Sequence, residues 1–149
     1  MALLLLRLHR SLDKSKNRKI VSIFTKIVLG EISCYKIAED KNYLAFLDIN
    51  PNTKGHTLVI PKKEVNRIFD LDIQTYSELM SFSYRVAKAL EKTISCERIG
   101  MSVIGLEVPH VHVHLLPINK MADMQFIEKE KMTNKEFTVL AQDISRNFI

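Results

Sequence analysis

The stretch His110-Val111-His112-Val113-His114-Leu115-Leu116-Pro117 is the part of the chain from which the rest is interpreted. Imidazole and branched apolar side chains alternate in it with a period of two. In a β-strand, this period places His110, His112 and His114 on one face and the intervening apolar residues on the other, where they would join a core. Three neighbouring imidazoles gain little packing and need several hydrogen-bond partners. Their clustering therefore indicates an active site.

The composition is that of a soluble globular domain. The 149 residues, of which 46% are hydrophobic and 26% charged, fit one domain large enough to bury a core. The formal net charge is +5, but the first nineteen residues contain six basic and one acidic side chain, which leaves sixteen of each in residues 20–149. Because a nucleic-acid-binding surface should lie on the folded domain, we predict no nucleic-acid partner.

Residues 1–19 are predicted to be a basic, disordered lead outside the domain. Their apolar run, residues 2–6, is shorter than the hydrophobic region of a secretory signal, and the basic residues follow it. A mitochondrial presequence and an over-long translation start remain alternatives. No apolar run approaches the ~20 residues of a membrane span, which predicts no membrane partner. Cys34 and Cys96 match no metal or redox spacing, which suits a reducing cytosol, so we expect a cytoplasmic protein.

Hydrophobic periodicity predicts a single α+β domain over residues 20–149. The predicted elements are a short helix after Ser22, strands at 35–38, 43–47 and 56–60, a long helix after Asp70 or Asp72, strands at 98–104 and 110–117, and a helix after Thr133. The last helix begins with the capping box Thr133-x-x-Glu136. Because the connections between strands are short, the sheet is predicted to be antiparallel.

Two kinds of chemistry suit the three histidines. Two of them at i and i+2 could share a zinc ion, but His110 to His114 spans roughly 13 Å and neither cysteine stands in a ligand pair. Neutral imidazole is also a good nucleophile toward phosphorus. His110 and His114 flank His112 and could supply hydrogen-bond donors to a phosphate. We favour metal-free nucleophilic catalysis at His112 and keep a two-histidine metalloenzyme as an alternative.

The histidine stretch resembles the signature of the histidine triad (HIT) family, His-φ-His-φ-His-φ-φ with φ hydrophobic. Residues 22–32, 44–51 and 55–63 resemble other blocks of the family in the same order, so the resemblance covers roughly residues 20–120. A third histidine, where the uridylyltransferase branch has glutamine, favours the nucleoside phosphoramidase-like branch. The resemblance implies a five-stranded antiparallel sheet with a short N-terminal helix, a long central helix and a C-terminal helical extension, residues 121–149.

This resemblance also implies a nucleotide hydrolase that acts at an α-phosphate without a cofactor. His112 would attack phosphorus, and water would then release a nucleoside monophosphate from the nucleotidyl-histidine intermediate. His114 would hydrogen-bond the phosphate, and His110 and His56 would orient His112 and relay protons. The expected substrate is a purine nucleoside phosphoramidate or a dinucleotide. The family usually forms homodimers that pair two sheets, with the long helix at the interface. The alternative is a nucleotide-binding sensor or interaction protein with weak turnover.

The nucleotide-binding residues implied by the resemblance lie before and after the long helix. Asp48 would hydrogen-bond the ribose hydroxyls, and Leu47 and Ile49 would line the base pocket. Glu107, in the loop before the triad, and His114 complete the predicted nucleotide site.

Two of the predicted site residues also have structural interpretations. Asp48 precedes Asn50-Pro51 and could simply initiate that turn, a role that aspartate often fills. His56 follows Gly55 directly and could hydrogen-bond only backbone groups.

The chain departs from the family in three places. Many relatives bind zinc through four residues whose positions here are occupied by Ser22, Thr25, Glu64 and His110, so three of the four ligands are missing and no structural zinc is expected. The loop before the triad is shortened to residues 104–107 and has Leu106 in place of a glutamine, which favours weak turnover. The extension, residues 121–149, could pack over the site or over the dimer edge.

Overall fold

The computed structural model describes residues 21–149, and the predicted lead lies outside the described residues. Its strands are β1 (Lys36–Glu39), β2 (Tyr43–Leu47), β3 (Thr57–Pro61), β4 (Arg98–Ser102) and β5 (Val113–Ile118). They form one sheet in the order β1-β2-β3-β5-β4, and every neighbouring pair is antiparallel. The predicted five-stranded antiparallel sheet is confirmed.

The helices are α1 (Ile23–Val28), α2 (Ile73–Thr93) and α3 (Asn134–Arg146). Each begins after a side chain that accepts a backbone N–H from the first turn: Ser22, Asp72 and Thr133. Asp72, not Asp70, therefore caps the long helix. Short 3₁₀ turns occupy Ile68–Asp70 and Met121–Met124. Among residues 21–149, no helix is long and apolar enough to cross a membrane.

The two faces of the sheet carry separate apolar clusters. One face packs against α2 and α3, and its cluster includes Leu47, Val59, Val113 and Leu115. The other face packs against α1, and its cluster consists of Phe24, Leu44, Phe46, Leu58 and Ile60. We call the second face the histidine face, because His114 lies opposite Leu58 in the β3–β5 ladder.

The strand that contains the triad is shorter than predicted. β5 begins at Val113, so His110 and His112 precede it. The reason is that the Val111 N–H donates to the carbonyl of Val65, in a loop, instead of joining the sheet. The side chains still alternate between the two faces as predicted, since Val111, Val113 and Leu115 belong to the cluster on the opposite face. β4 likewise ends at Ser102, the last residue paired with β5.

Candidate active site

The structure brings four predicted histidines together on the histidine face. His56, His110, His112 and His114 are all buried, with at most 8% of each exposed. The ring centroids of His112 and His114 lie 4.8 Å apart, and those of His56 and His114 lie 5.2 Å apart. Phe24 of α1 packs its ring edge-on against His112 at a centroid distance of 5.0 Å. The imidazoles therefore have few orientations available.

A backbone amide determines the tautomers of two of these rings. The Asn52 N–H donates to Nδ1 of His56 at 3.2 Å, so the proton of that neutral ring is on Nε2. The His56 Nε2–H then donates to Nδ1 of His114 at 3.0 Å. This leaves the proton of His114 on its own Nε2. His56 thus has a hydrogen-bonding role beyond the backbone, and it makes His114 a hydrogen-bond donor at Nε2.

Backbone carbonyls determine the tautomers of the other two rings. Nδ1 of His112 donates to the His110 carbonyl at 2.7 Å, so Nε2 of His112 keeps its lone pair. Among residues 21–149, no hydrogen-bond partner faces that atom. Nε2 of His110 donates to the Pro61 carbonyl at 2.7 Å, and its Nδ1 accepts from the Ser22 hydroxyl at 2.8 Å. His112 and His114 therefore offer opposite groups, a lone pair and an N–H.

Burial keeps the supporting imidazoles uncharged. It is the main cause that lowers the pKa of His56 to about 3, with the positive charge of Lys129 as the second cause. Burial also lowers the pKa of His114 to about 3, followed by repulsion from His112. The pKa of His110 is lowered for the same first reason. These three rings are therefore neutral at pH 7, as the tautomer assignments require.

The four positions that the family resemblance compares with a zinc site form a hydrogen-bonded cluster here. One Glu64 carboxylate oxygen accepts the Ser22 N–H at 2.9 Å and the Thr25 hydroxyl at 2.5 Å. The Ser22 hydroxyl continues this chain to His110. Zinc selects thiolate, imidazole and carboxylate ligands, and two of these four positions offer only neutral hydroxyls. These residues do not fit a structural zinc ion. Their hydrogen bonds connect α1 to the triad without a metal.

Asp48 lies beside the histidines. Its Oδ1 accepts the Asn50 N–H at 2.8 Å, which is the turn interaction, while Oδ2 lies 3.8 Å from Nε2 of His56. Among residues 21–149, Asp48, His56 and His114 are the one group whose ligand atoms converge, within 4.8 Å of one another. Nε2 of His56 and Nδ1 of His114 are hydrogen-bonded to each other, so a metal ion that used both atoms would have to displace the proton between them.

The predicted base-pocket residues are not all brought to the site. Leu47 is 1% exposed and packs in the cluster on the α2 face, away from the histidines. Its neighbour Phe46 points to the histidine face and contacts Phe24. Ile49 is 73% exposed and accessible to a ligand. Because side chains alternate between the faces of a strand, the sequence of β2 could have shown that Phe46 and Leu47 lie on opposite faces of the sheet.

A cavity of about 490 Å³ lies beside the triad. His112 and His114, the predicted Glu107 and the rest of the loop 104–107 line it, and so does a part of the chain that sequence analysis left unassigned, Met124–Phe126 with Lys129. The first part of the extension therefore packs at the site, while α3 packs on the opposite face. No local sequence signal identifies Phe126 or Lys129.

This fold and site define a class: α+β proteins in which one face of an antiparallel sheet presents buried imidazoles in alternating tautomers beside an open cavity. The model of the HIT domain matches residues 29–121. The chain belongs to the HIT family.

Relatives and solved structures agree with this assignment. An uncharacterized HIT-like protein of Methanocaldococcus jannaschii is 42% identical over 102 residues, which cover 64% of this chain and 77% of that protein. An adenosine 5′-monophosphoramidase of Schizosaccharomyces pombe is 38% identical over 96 residues, 64% of this chain and 72% of that protein. The structure of a HIT-like protein from Bartonella henselae has a TM-score of 0.74 at 28% identity, and covers 85% of this chain and 95% of that one.

Proposed function

We propose that this protein is a purine nucleotide hydrolase that cleaves P–N or related phosphoanhydride bonds at an α-phosphate and needs no metal. The observation that carries the proposal is the opposite protonation of two adjacent rings. Nε2 of His112 holds a lone pair, and Nε2 of His114 holds a proton. A nucleophile next to a fixed N–H donor is what displacement at phosphorus requires. Relatives in two yeasts that are adenosine 5′-monophosphoramidases support the choice of reaction.

The first step forms a bond between Nε2 of His112 and phosphorus. The P–N bond breaks, its electron pair leaves with the nitrogen, and the amine takes a proton from solvent. The ring becomes a phosphoryl-imidazolium whose Nδ1–H still donates to the His110 carbonyl, so the new positive charge meets an oxygen acceptor. The His114 N–H donates to a phosphoryl oxygen. In the second step, water attacks phosphorus, the P–Nε2 bond breaks, and the water proton passes to solvent.

The nucleoside would lie on the α1 side of the triad. Asp48 Oδ2, the oxygen that the turn does not use, would accept hydrogen bonds from the ribose hydroxyls. The exposed Ile49 would contact the base, together with Phe24 and Phe46. Glu107 and His114 would lie at the phosphate, because both line the cavity beside His112.

Release of AMP from adenosine 5′-phosphoramidate tests the proposal, with wild type compared with His112→Asn. The asparagine amide can replace the Nδ1–H donor to His110 but provides no nucleophile, so we expect a loss of at least about 10³-fold in kcat. Single turnovers quenched in alkaline denaturant, where the P–N bond to histidine is stable, should contain a nucleotidyl-protein adduct in wild type alone. Turnover by His112→Asn at a tenth of the wild-type rate would refute the mechanism.

A nucleotide-binding sensor with weak turnover is the second candidate function. The observation in its favour is Leu106, which is 90% exposed in the shortened loop and offers no polar side-chain group to a phosphate or leaving group. AMP binding by wild type without AMP release from the phosphoramidate would select this function.

We also propose a cytoplasmic homodimer. β4 is an edge strand of the sheet, and it exposes Met101, which is 56% accessible. Pairing of two β4 edges would cover that side chain and satisfy unpaired backbone groups. Sedimentation of wild type should give about twice the chain mass, and Met101→Lys should weaken the association.

A further inference from the structure

The beginning of the C-terminal extension, residues 123–130, is fixed against the loop that precedes His56. We call it the pocket segment. The Asn52 side-chain amide donates to the Asp123 carbonyl at 3.3 Å, and Lys129 Nζ donates to Asn52 Oδ1 at 2.7 Å. The Glu130 N–H donates to the Pro51 carbonyl at 2.7 Å. Three hydrogen bonds therefore hold this segment at the cavity beside the triad.

Phe126 has an unusual backbone conformation in this segment. Its φ is +59°, and it is the one non-glycine residue with positive φ among residues 21–149. Aromatic residues rarely adopt the left-handed region, and positions where they do are concentrated at functional sites. The conformation places the ring edge-on against His114, at a centroid distance of 4.9 Å, and against His56, at 5.8 Å. Phe126 thus covers the two rings that provide the N–H donor.

Lys129 gives the cavity its positive charge. Lys129 and Glu107 are the charged residues that line the cavity. The Lys129 Nζ lies 5.6 Å from the centroid of the Phe126 ring and donates to a neutral amide oxygen. Among residues 21–149, no carboxylate lies within 4.0 Å of it. Two of its N–H groups remain for a ligand. Its charge also acts on His56 and His114, which places it in the electrostatic field of the site.

The cavity borders the proposed nucleoside subsite at Asn50, which lines it and whose N–H donates to Asp48. Leu47, Asp48 and Ile49 are absent from its lining, whereas His112, His114 and the loop 104–107 belong to it. With the ribose at Asp48 and phosphorus at His112 Nε2, the part of the cavity formed by Phe126, Lys129 and the loop 104–107 is left for the other substituent of phosphorus.

We propose that Lys129 is a specificity-determining residue that binds an anionic leaving group, so that the favoured substrates are nucleoside 5′-phosphoramidates whose amine carries a carboxylate or a phosphate. This inference rests on the proposed function and names the substrate class of the same site. Phe126 positions Lys129 and shields the His56–His114 hydrogen bond from water. The pocket segment forms a side of the cavity that the shortened loop 104–107 does not cover.

Two matched pairs of AMP phosphoramidates test the proposal. One pair has glycine or glycinamide as the leaving group, and its members are nearly equal in size and differ in charge. The other pair has phosphoethanolamine or ethanolamine, which differ by the phosphate group. Wild type should prefer the anionic member by about two- to fivefold in kcat/KM, the value of a partly exposed ion pair. Preference in only one pair identifies carboxylate or phosphate as the recognised anion.

Variants separate binding from packing. Lys129→Met should reduce the preference to about one, and Lys129→Arg should retain most of it. Lys131→Met is the matched control, because Lys131 is an exposed lysine two residues away that lines a different cavity, and its variant should keep the wild-type preference. A preference unchanged in Lys129→Met, or an equal loss on both members of a pair, overturns the proposal.

Binding distinguishes failure of this inference from failure of the proposed function. The Kd of each conjugate for His112→Ala is measured by calorimetry, with and without Lys129→Met. If wild type cleaves none of the conjugates but the anionic members bind tighter in a Lys129-dependent way, the hydrolase function fails and the anion site stands. If wild type cleaves the conjugates without a Lys129-dependent preference in rate or Kd, the function stands and this inference is refuted.

Discussion

Replacement of Ser22 by alanine removes two hydrogen bonds of one hydroxyl group. That hydroxyl accepts the Thr25 N–H, which caps α1, and donates to Nδ1 of His110, which is fully buried. Loss of the cap costs about 1 kcal/mol. A buried ring nitrogen without its donor costs about 1–3 kcal/mol more. Ser22→Ala should therefore lower the free energy of unfolding by about 2–4 kcal/mol, while the backbone N–H of residue 22 and the Thr25 hydroxyl still donate to Glu64.

Urea unfolding measures this loss, and Thr133→Ala is the matched control. Thr133 caps α3 in the same way, but its hydroxyl contacts no histidine, so its variant should lose only about 1 kcal/mol. The difference between the variants isolates the contact with His110. The rate of AMP release well below the unfolding temperature should also fall in Ser22→Ala alone, because the His110 carbonyl orients His112. Equal losses of stability in the two variants would refute the assigned hydrogen-bond chain.

Three further predictions concern the backbone, pH and metals. Gly55→Ala should lower the free energy of unfolding by about 2–3 kcal/mol, because φ is +90° and a Cβ would lie 2.1 Å from Ile94 Cδ1. Gly30→Ala is the control in the same urea assay, and because its φ is +75° with no atom within 4 Å of the added Cβ, it should lower this free energy by only about 1 kcal/mol. Between pH 6.5 and 5 the unfolded chain binds protons at His56 and His114, whereas the folded chain does not. The free energy of unfolding should therefore fall as the pH is lowered, by up to about 1.4 kcal/mol per pH unit for each ring. A flat profile would contradict the burial of neutral imidazoles. Dialysis against EDTA should leave the rate of AMP release unchanged, and a loss that one equivalent of zinc restores would instead support a metalloenzyme.

Helix caps and hydrophobic periods predicted the helices and strands of this fold, because each of these features depends on residues that are close in the sequence. Ser22 caps the predicted helix, and β2 has the predicted bounds. Contacts across the chain had no such signal. Glu64 meets Ser22 from 42 residues away, which depends on how α1 packs over the sheet. Phe126 was unpredictable for the opposite reason, since its local preference opposes the backbone conformation that the hydrogen bonds of the pocket segment hold.

The roles of the histidines follow from groups that do not titrate. The Asn52 amide, the Pro61 carbonyl and the His110 carbonyl determine where the protons are, and each belongs to the backbone. Exchange of the roles of His112 and His114 would require a backbone donor to become an acceptor, which no change of pH achieves. The motif supplies three similar rings, and the chain path around them leaves a lone pair on Nε2 of His112 and an N–H on Nε2 of His114. Substitutions that move the loop before His56 should therefore affect the reaction more than substitutions of exposed side chains near the cavity.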